Sequence, residues 1–399
     1  MRGSPDPSPT PGGLSRRDFV GAASGVLLAG CTTSEKPEAS PSAAAPAAAP
    51  PPPQPWVKDP APFIRHPTNL ETRLENLPGL LTPNELFFVR NHASTPRLDA
   101  AAWRLRVDGD GVERPFDLSY DDLMRLPSRS VVAYLECAGN GRKFFAEIGG
   151  KAATGGQWAT GAVGCAEWTG VPLALVLERA GVRRGAVDVL LHGLDEAKFS
   201  RPMPLARARE DDTLLAFAMN GAPLPPDHGF PVRALVPGWV GSNSVKWLGR
   251  IEVSMSRVWV KTNTASYVLV GEQWPADRYK PALGAPVTRL NVKSALALPR
   301  PGRLAAGVQR LRGFAHAPSG IARVEWSPDG GTTWKAARLD PAPGLAWNRF
   351  DFEWNAVPGE HRILTRATDR QGNRQPSSVP WNEQGYLFNA ALPHSVTVA

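Results

Sequence analysis

The chain has 399 residues and a formal net charge of +8, and it is long enough for two folded domains. A positive balance favours an anionic substrate or cofactor, an acidic redox partner or a lipid surface. The cations are scattered rather than interleaved with aromatic residues, so the sequence does not indicate nucleic-acid binding. It has neither a Gly-x-Gly-x-x-Gly motif after a strand nor a Walker-type loop, so neither a dinucleotide site nor an ATP site is indicated.

Residues 1–31 predict an export signal rather than folded structure. Arg16 and Arg17 precede an apolar run and look like a twin-arginine signal. That run is much shorter than the ~20 residues a membrane-spanning helix needs. Cys31 ends a lipoprotein-type cleavage box, although an ordinary cleaved signal with an incidental cysteine is the alternative. We therefore expect a periplasmic or cell-surface protein that is anchored in the membrane only through lipid on Cys31.

Residues 32–55 predict a linker. From residue 37 onward the segment is almost entirely proline and alanine, so it has no side chains from which to build a core. Such a chain adopts an extended polyproline-like form, and at ~3.1 Å per residue it could reach roughly 60 Å. A tether between the anchor and a globular body is its simplest use.

Residues 56–284 predict a mixed domain of short strands, Pro/Gly turns and a few helices. Residues 171–181 have proline near the start, glycine at the end and apolar residues at helical spacing, which predicts a helix. Residues 187–191 predict a strand. Residues 211–221 begin with a capping cluster and close in a turn.

Residues 285–399 change to strands with regular turn signals. A hairpin is predicted around Pro328–Gly331, and residues 350–354 alternate apolar and polar side chains. Several short strands in a segment of this length predict an immunoglobulin-like β-sandwich. The expected fold class is therefore α+β and rich in strand, with a catalytic domain followed by a sandwich.

Cys137 is the residue with the most informative surroundings. It follows an apolar strand pattern, lies in a turn with two glycines, and is followed closely by Arg142. Nearby cations favour the thiolate, which is the form that binds soft metals. Taken alone, such a residue is usually an ordinary buried thiol, and it could also pair with Cys165 in an oxidising compartment. We favour a free Cys165.

The amino-acid sequences of several segments resemble those of the sulfite oxidase family of molybdopterin-dependent oxidoreductases. Cys-Ala-Gly-Asn at residues 137–140 resembles the family's metal-ligating segment, and residues 221–248 are the longest similarity. The resemblance implies that Cys137 binds molybdenum and that the C-terminal sandwich forms a homodimer. It also implies a set of cofactor-binding residues, namely Phe88, Arg90, Asn91, His92, Cys137, Asp195, His228, Arg233, Ser244, Val245 and Lys246.

The resemblance implies a substrate site as well. It assigns substrate contacts to Arg142, Arg90, Tyr279 and Trp158, beside Cys137. Two positions depart from the family pattern, because Gly141 and Gln384 stand where an arginine is expected. Fewer fixed cations mean weaker anion binding, or compensation from elsewhere.

The function implied is oxidation of sulfite to sulfate by a molybdenum–molybdopterin cofactor. The sequence has no Cys-x-x-Cys-His haem attachment and no flavin fingerprint, so an external acceptor, such as a cytochrome c, is expected to take the electrons. One alternative keeps the cofactor and reduces a sulfoxide or another oxygen donor. A second, non-enzymatic alternative is a surface lipoprotein that binds a partner, with Cys137 and Cys165 joined in a disulfide.

Overall fold

The computed structural model describes residues 55–399, which belong to one compact unit. The predicted export signal, Cys31 and nearly all of the predicted linker lie outside the described residues. Within residues 55–399, no helix combines the length and apolar character needed to cross a membrane.

Strands dominate the architecture. In chain order they are β1 (Ile64–His66), β2 (Asn69–Glu71), β3 (Val89–Arg90), β4 (Arg104–Asp108), β5 (Phe116–Ser119), β6 (Arg129–Glu136), β7 (Val163–Pro172), β8 (Asp188–Gly193), β9 (Ser200–Pro204), β10 (Leu214–Met219), β11 (Ala222–Pro223), β12 (Arg233–Leu235), β13 (Leu248–Ser254), β14 (Val268–Leu269), β15 (Ala285–Pro286), β16 (Lys293–Leu296), β17 (Gly302–Leu304), β18 (Gly307–His316), β19 (Ile321–Ser327), β20 (Lys335–Ala336), β21 (Arg338–Leu339), β22 (Asn348–Ala356), β23 (Gly359–Asp369) and β24 (His394–Val398). The helices are short: α1 (Tyr120–Met124), α2 (Phe144–Glu147), α3 (Leu173–Ala180), α4 (Leu205–Ala208) and α5 (Lys261–Thr264), with 3-10 turns at Leu74–Asn76, Asn84–Leu86, Pro226–His228, Gly241–Asn243 and Ala276–Arg278.

Two five-stranded sheets form the N-terminal part of the unit. One has the order β11-β10-β7-β6 with β12 also paired to β10, and the other has the order β5-β4-β13-β8-β9. Helix α3 buries Leu173, Val176, Leu177 and Ala180 in their shared core and ends at Gly181, whose φ of 65° favours glycine. The predicted helix is thus present, and the predicted strand is β8. The segment 211–221, which begins with a capping cluster, folds as strand β10 because its apolar side chains pack between two sheet neighbours.

The C-terminal part is a two-sheet sandwich. Its sheets have the orders β16-β18-β22-β21 and β17-β24-β23-β19-β20. Strand β22 alternates strictly, so that Phe350, Phe352 and Trp354 face the core, and Trp326 stacks on Phe352 at 4.2 Å between ring centroids. The predicted hairpin is formed by β19 and β20. The predicted α+β class with a terminal sandwich is confirmed.

The sandwich packs directly behind β6, the strand that precedes Cys137. Glu136, the last residue of β6, is buried and pairs with Lys293 of β16. His316 of β18 lies 3.5 Å from the same carboxylate and packs on the ring of Tyr134 at 4.4 Å. Burial of a charge is tolerated when it is paired and hydrogen-bonded. The C-terminal part therefore supports the base of the cysteine turn.

Candidate active site

The turn after β6 holds Cys137 in a defined position. The backbone N–H of Cys137 donates to the Ala162 carbonyl at 2.9 Å, and that of Asn140 donates to the Cys137 carbonyl at 2.9 Å. The side chain of Asn140 donates to Glu136 at 2.8 Å and accepts from the Ala162 N–H at 3.0 Å. These bonds tie the turn to both neighbouring strands, so the thiol is presented by rigid backbone.

A cavity of about 730 Å³, including its open mouth, lies beside this thiol. It is lined by every residue that the sequence assigned to the cofactor: Phe88, Arg90, Asn91, His92, Cys137, Asp195, His228, Arg233, Ser244, Val245 and Lys246. The residues come from five separate segments, and the first of these, residues 88–92, includes strand β3 of a three-stranded sheet with the order β1-β2-β3. We refer to this space as the cofactor cavity.

The cations of the cofactor cavity are buried. Arg233 donates to the carbonyls of His228 at 3.1 Å and Ser244 at 2.8 Å, and burial lowers its pKa to about 9. Lys246 donates to Asn91 Oδ1 and to the Asp227 carbonyl, and burial, followed by the charge of Arg233, lowers its pKa well below the usual value. Neither cation forms a salt bridge among residues 55–399, although Asp227 and Asp195 are near enough to Lys246 to raise its pKa and so oppose the lowering in part. Buried cations that are not in direct contact with a carboxylate suit an anionic group.

Two histidines contribute neutral rings to the same cavity. Burial, with Lys58, Lys246 and Arg233 adding to it, holds the pKa of His228 well below its usual value. His228 Nε2 is buried and has no hydrogen-bond partner within the described part of the chain. Burial and the charge of Arg90 lower the pKa of His92 to about 3. Both rings are therefore neutral at neutral pH and offer one donor and one acceptor each.

A second cavity opens on the other side of Cys137. It shares Arg90, Asn91, His92, Cys137 and Tyr267 with the cofactor cavity and encloses about 1260 Å³, including its opening. We call it the substrate cavity. Trp158 lines it and is buried, with His66 packed on its ring at 4.7 Å. Although burial alone lowers the pKa of Arg90, the nearby Tyr267 and Cys137 raise it above its ordinary value, so this guanidinium stays charged.

Arg142 lies in the wall of the substrate cavity. Its Nε donates to the Gln384 carbonyl at 2.8 Å and its NH1 donates to the Gly156 carbonyl at 2.7 Å. A Cβ at Gly139 would lie 2.4 Å from Arg142 NH2, so the guanidinium packs where only glycine leaves room. The geometry fixes the position of the charge, and two of its nitrogens are already bonded to backbone.

The predicted tyrosine is the clearest correction. Tyr279 follows the 3-10 turn Ala276–Arg278 and lines neither cavity. Tyr267 lines both, and its hydroxyl lies 3.0 Å from His92 Nε2. The resemblance assigned Tyr279 alone, and Tyr267 was missed because its position depends on how the chain turns after α5. Tyr386, which also lines the substrate cavity, was missed for the same reason.

Comparison with known proteins agrees with this arrangement. The family described as oxidoreductase molybdopterin binding domain matches residues 92–259, and that described as Mo-co oxidoreductase dimerisation domain matches residues 285–398. Sulfite oxidase from Gallus gallus is 39% identical over 349 residues, covering 81% of this chain and 75% of that protein. The chain belongs to the sulfite oxidase family.

Other relatives show how far this similarity extends. Mitochondrial sulfite oxidase from Mus musculus is 36% identical over 367 residues, covering 84% of this chain and 66% of the mouse protein, just under two thirds of its length. The crystal structure of sulfane dehydrogenase SoxCD from Paracoccus pantotrophus matches with a TM-score of 0.73 and 29% identity, covering 83% of this chain and 86% of that one. These similarities agree with membership of the sulfite oxidase family.

The residues present fit the family's cofactor. Within the described residues, His228 Nε2 has no hydrogen-bond partner, and with the cationic side chains of Arg233 and Lys246 it lines a space large enough for a phosphorylated pterin. These three side chains would hold the phosphate and the ring edges, and the Cys137 thiolate would hold the metal. The binding roles of individual residues stay predictions.

The second described cysteine takes no part in either cavity. Cys165 is buried on β7, and burial raises the pKa of its thiol to about 12. Cys137 and Cys165 are both free. A free Cys165 was expected, whereas the disulfide required by the non-enzymatic alternative is contradicted.

Proposed function

We propose that this protein oxidises sulfite to sulfate and passes the electrons singly to an external acceptor of the cytochrome c type. The observation that carries the proposal is the position of Cys137 at the junction of the two cavities, with Arg90 beside it and Arg142 in the adjoining wall. When bound, the cofactor supplies the two-electron oxygen-transfer chemistry, with Cys137 as a ligand of its metal.

The protein's own residues would bind and orient the anion. Arg90 and Arg142 supply positive charge at the substrate cavity, and the Tyr267 hydroxyl supplies a hydrogen bond. Trp158 and the rings around it would keep bulk water from the reacting atoms. The Tyr267–His92 pair, 3.0 Å apart, is placed to form hydrogen bonds with an anion at the cavity wall.

The location and assembly of the protein form part of the proposal. The twin-arginine pattern and Cys31 support export and lipid anchoring, and the similarity of residues 285–398 to a dimerisation domain supports a homodimer. A periplasmic enzyme could deliver electrons to a soluble cytochrome. Cell fractionation of wild type and of Cys31→Ser would test the anchor, since the variant should move from the membrane fraction to the soluble fraction.

The function is tested with exported holoenzyme. We expect molybdenum and pterin in near-stoichiometric amounts and sulfite-dependent reduction of ferricyanide and of cytochrome c. Protein that contains molybdenum but does not turn over sulfite would remove the substrate assignment while leaving the cofactor assignment in place. Protein without molybdenum would remove both.

A second candidate substrate is a larger sulfane-sulfur compound. Gln384 lies in the wall of the substrate cavity where an arginine was expected, so the wall has fewer cations for a small oxyanion. SoxCD, whose structure is similar, is a sulfane dehydrogenase. Comparing kcat/KM for sulfite, an organic persulfide and dimethyl sulfoxide, the last with a reductant, would separate sulfite oxidation, sulfane oxidation and sulfoxide reduction.

A further inference from the structure

A buried arginine with no acidic partner lies behind the wall shared by the two cavities. Arg201 of β9 is 1% exposed. Its Nε donates to Asn243 Oδ1 at 3.3 Å and its NH2 to the Val287 carbonyl, while NH1 has no partner among residues 55–399. Burial lowers its pKa to about 10, so it remains a cation at neutral pH. A buried, unpaired charge is costly for folding, so its presence calls for an explanation.

Arg201 packs against the ring of Tyr267. The guanidinium carbon lies 5.1 Å from the ring centroid, which is within the range of a cation–π contact. Tyr267 stacks in turn on Tyr386, with centroids 5.3 Å apart and planes 7° apart. Arg142 completes the series, with its guanidinium carbon 5.2 Å from the Tyr386 centroid. We call these four side chains the Arg–Tyr–Tyr–Arg stack.

The members of the stack come from four distant parts of the chain. Arg201 lies on β9, Tyr267 follows α5, Tyr386 follows β23 and Arg142 follows β6. Tyr267 and Tyr386 line the substrate cavity beside Cys137, whereas Arg201 lines neither cavity. The stack therefore connects a buried charge outside the site to the phenol inside it.

We propose that Arg201 and Tyr386 are positioning residues, which hold the Tyr267 hydroxyl and the Arg142 guanidinium in the geometry that binds the anionic substrate. This proposal rests on the proposed function. A cation on the ring face draws electron density from the phenol and strengthens its O–H as a donor. Stacking on Tyr386 removes the freedom of the ring to rotate away from the cavity.

Arg201→Met tests the proposal, with turnover expressed per bound molybdenum. We expect KM for sulfite to rise about tenfold and kcat to change by less than about threefold, because the lost contact acts on the bound anion. Arg201→Lys should restore most of the affinity, since it keeps the charge. A purely structural role would instead reduce the active fraction and leave KM unchanged.

The matched control is Arg207→Met. Arg207 is 6% exposed and lies on α4, directly after β9, but it pairs with Glu210 at 2.7 Å and with Asp212, away from both cavities. Its replacement should lower stability and leave KM for sulfite unchanged. Equal KM values for the Arg201 and Arg207 variants would overturn the proposal.

A measurement without turnover makes the two proposals separable. Alkaline difference absorbance of wild type and Tyr267→Phe identifies the Tyr267 ionisation among the five tyrosines of the chain. Arg201→Met should shift that ionisation to higher pH, and Arg207→Met should not. If the wild-type protein fails to oxidise sulfite, sulfite is rejected as the substrate. The titration then tests by itself whether Arg201 positions Tyr267.

A second variant serves if Arg201→Met does not fold. Tyr386→Leu removes the stacking partner of Tyr267, and Tyr386→Phe preserves the ring. We expect the leucine variant to raise KM several-fold more than the phenylalanine variant. Equal effects of the two substitutions would mean that the ring stack does not position Tyr267, and the proposal would be rejected.

Discussion

The two cavities that meet at Cys137 are built in different ways. The cofactor cavity takes its side chains from a few compact blocks of the N-terminal sheets, such as residues 88–92 and 228–247. The substrate cavity draws on β1, the turn after Cys137 and a segment near residue 384 that returns from the sandwich. A cavity wall formed by contiguous segments leaves recognisable motifs in the sequence. A wall formed by residues that are far apart in the chain does not. We expect substitutions in the cofactor cavity to lower cofactor content, and substitutions in the substrate cavity to lower substrate affinity.

Cys137→Ser should have the largest effect, because it removes the residue common to both cavities. A serine hydroxyl does not ionise near neutral pH and is a poor ligand for a soft metal. We expect sulfite turnover to fall to background in the dye-coupled assay. Cys165→Ala is the matched control, since its thiol is buried away from the site, and it should keep activity per molybdenum. Full activity in the serine variant would refute metal ligation by Cys137.

Substitution of one arginine in each cavity separates their roles. Arg233→Met should reduce cofactor affinity roughly 100-fold, as expected for loss of a buried charged contact. Arg142→Met should keep molybdenum content and raise KM for sulfite. Metal and pterin analysis beside steady-state kinetics distinguishes the two outcomes. Loss of molybdenum in both variants would mean that the cavities are not functionally distinct.

The base of the cysteine turn predicts a pH dependence of stability. Burial lowers the pKa of His316 from 6.5 to about 4. The unfolded state therefore binds more protons in this window, so stability is greatest above pH 6.5 and falls by up to about 3 kcal/mol as the pH drops towards 4. His316→Gln should flatten the dependence in urea unfolding curves. His361→Gln, on the same sandwich, should retain it, and an unchanged slope in the His316 variant would refute the assignment.

The two tyrosines predict a direct contrast. Tyr267→Phe removes a hydroxyl from the junction of the cavities, so we expect kcat/KM for sulfite to fall at least about tenfold. Tyr279→Phe changes a side chain outside both cavities and should leave kinetics at the wild-type level. The reverse result would restore the assignment that the sequence favoured.

Gln384→Arg should have the smallest effect, and it tests whether an added cation in the substrate cavity strengthens sulfite binding. It introduces a cation into the wall of the substrate cavity, which should lower KM for sulfite roughly threefold. Molybdenum content should not change. A lower affinity for sulfite together with unchanged stability would indicate that the cavity is shaped for a different substrate.

Features formed by contiguous segments could be predicted from the sequence more readily than contacts between distant residues. The sequence pointed to Cys137 and to residues 228–246 as candidate site residues, because each lies in a strand–turn segment with a distinctive amino-acid sequence. The sandwich was predictable because β22 alternates and the β19–β20 turn has strong hairpin residues. Strand β10 was less clear, since its capping-like start suits a helix and only pairing with β7 and β12 makes it a strand.

The amino-acid sequence by itself determined the two-part α+β organisation, because short-range patterns of apolar and turn residues encode it. Through its resemblance to a family it also predicted the metal-binding role of Cys137 and the basic cofactor-binding segments. Only the tertiary structure decided that Tyr267 rather than Tyr279 reaches the cavity, and that Arg201 and Tyr386 support it. The physical reason is that stacking and cation–π contacts join residues far apart in the chain. Their partners are selected by how whole sheets pack, and no local pattern records that choice.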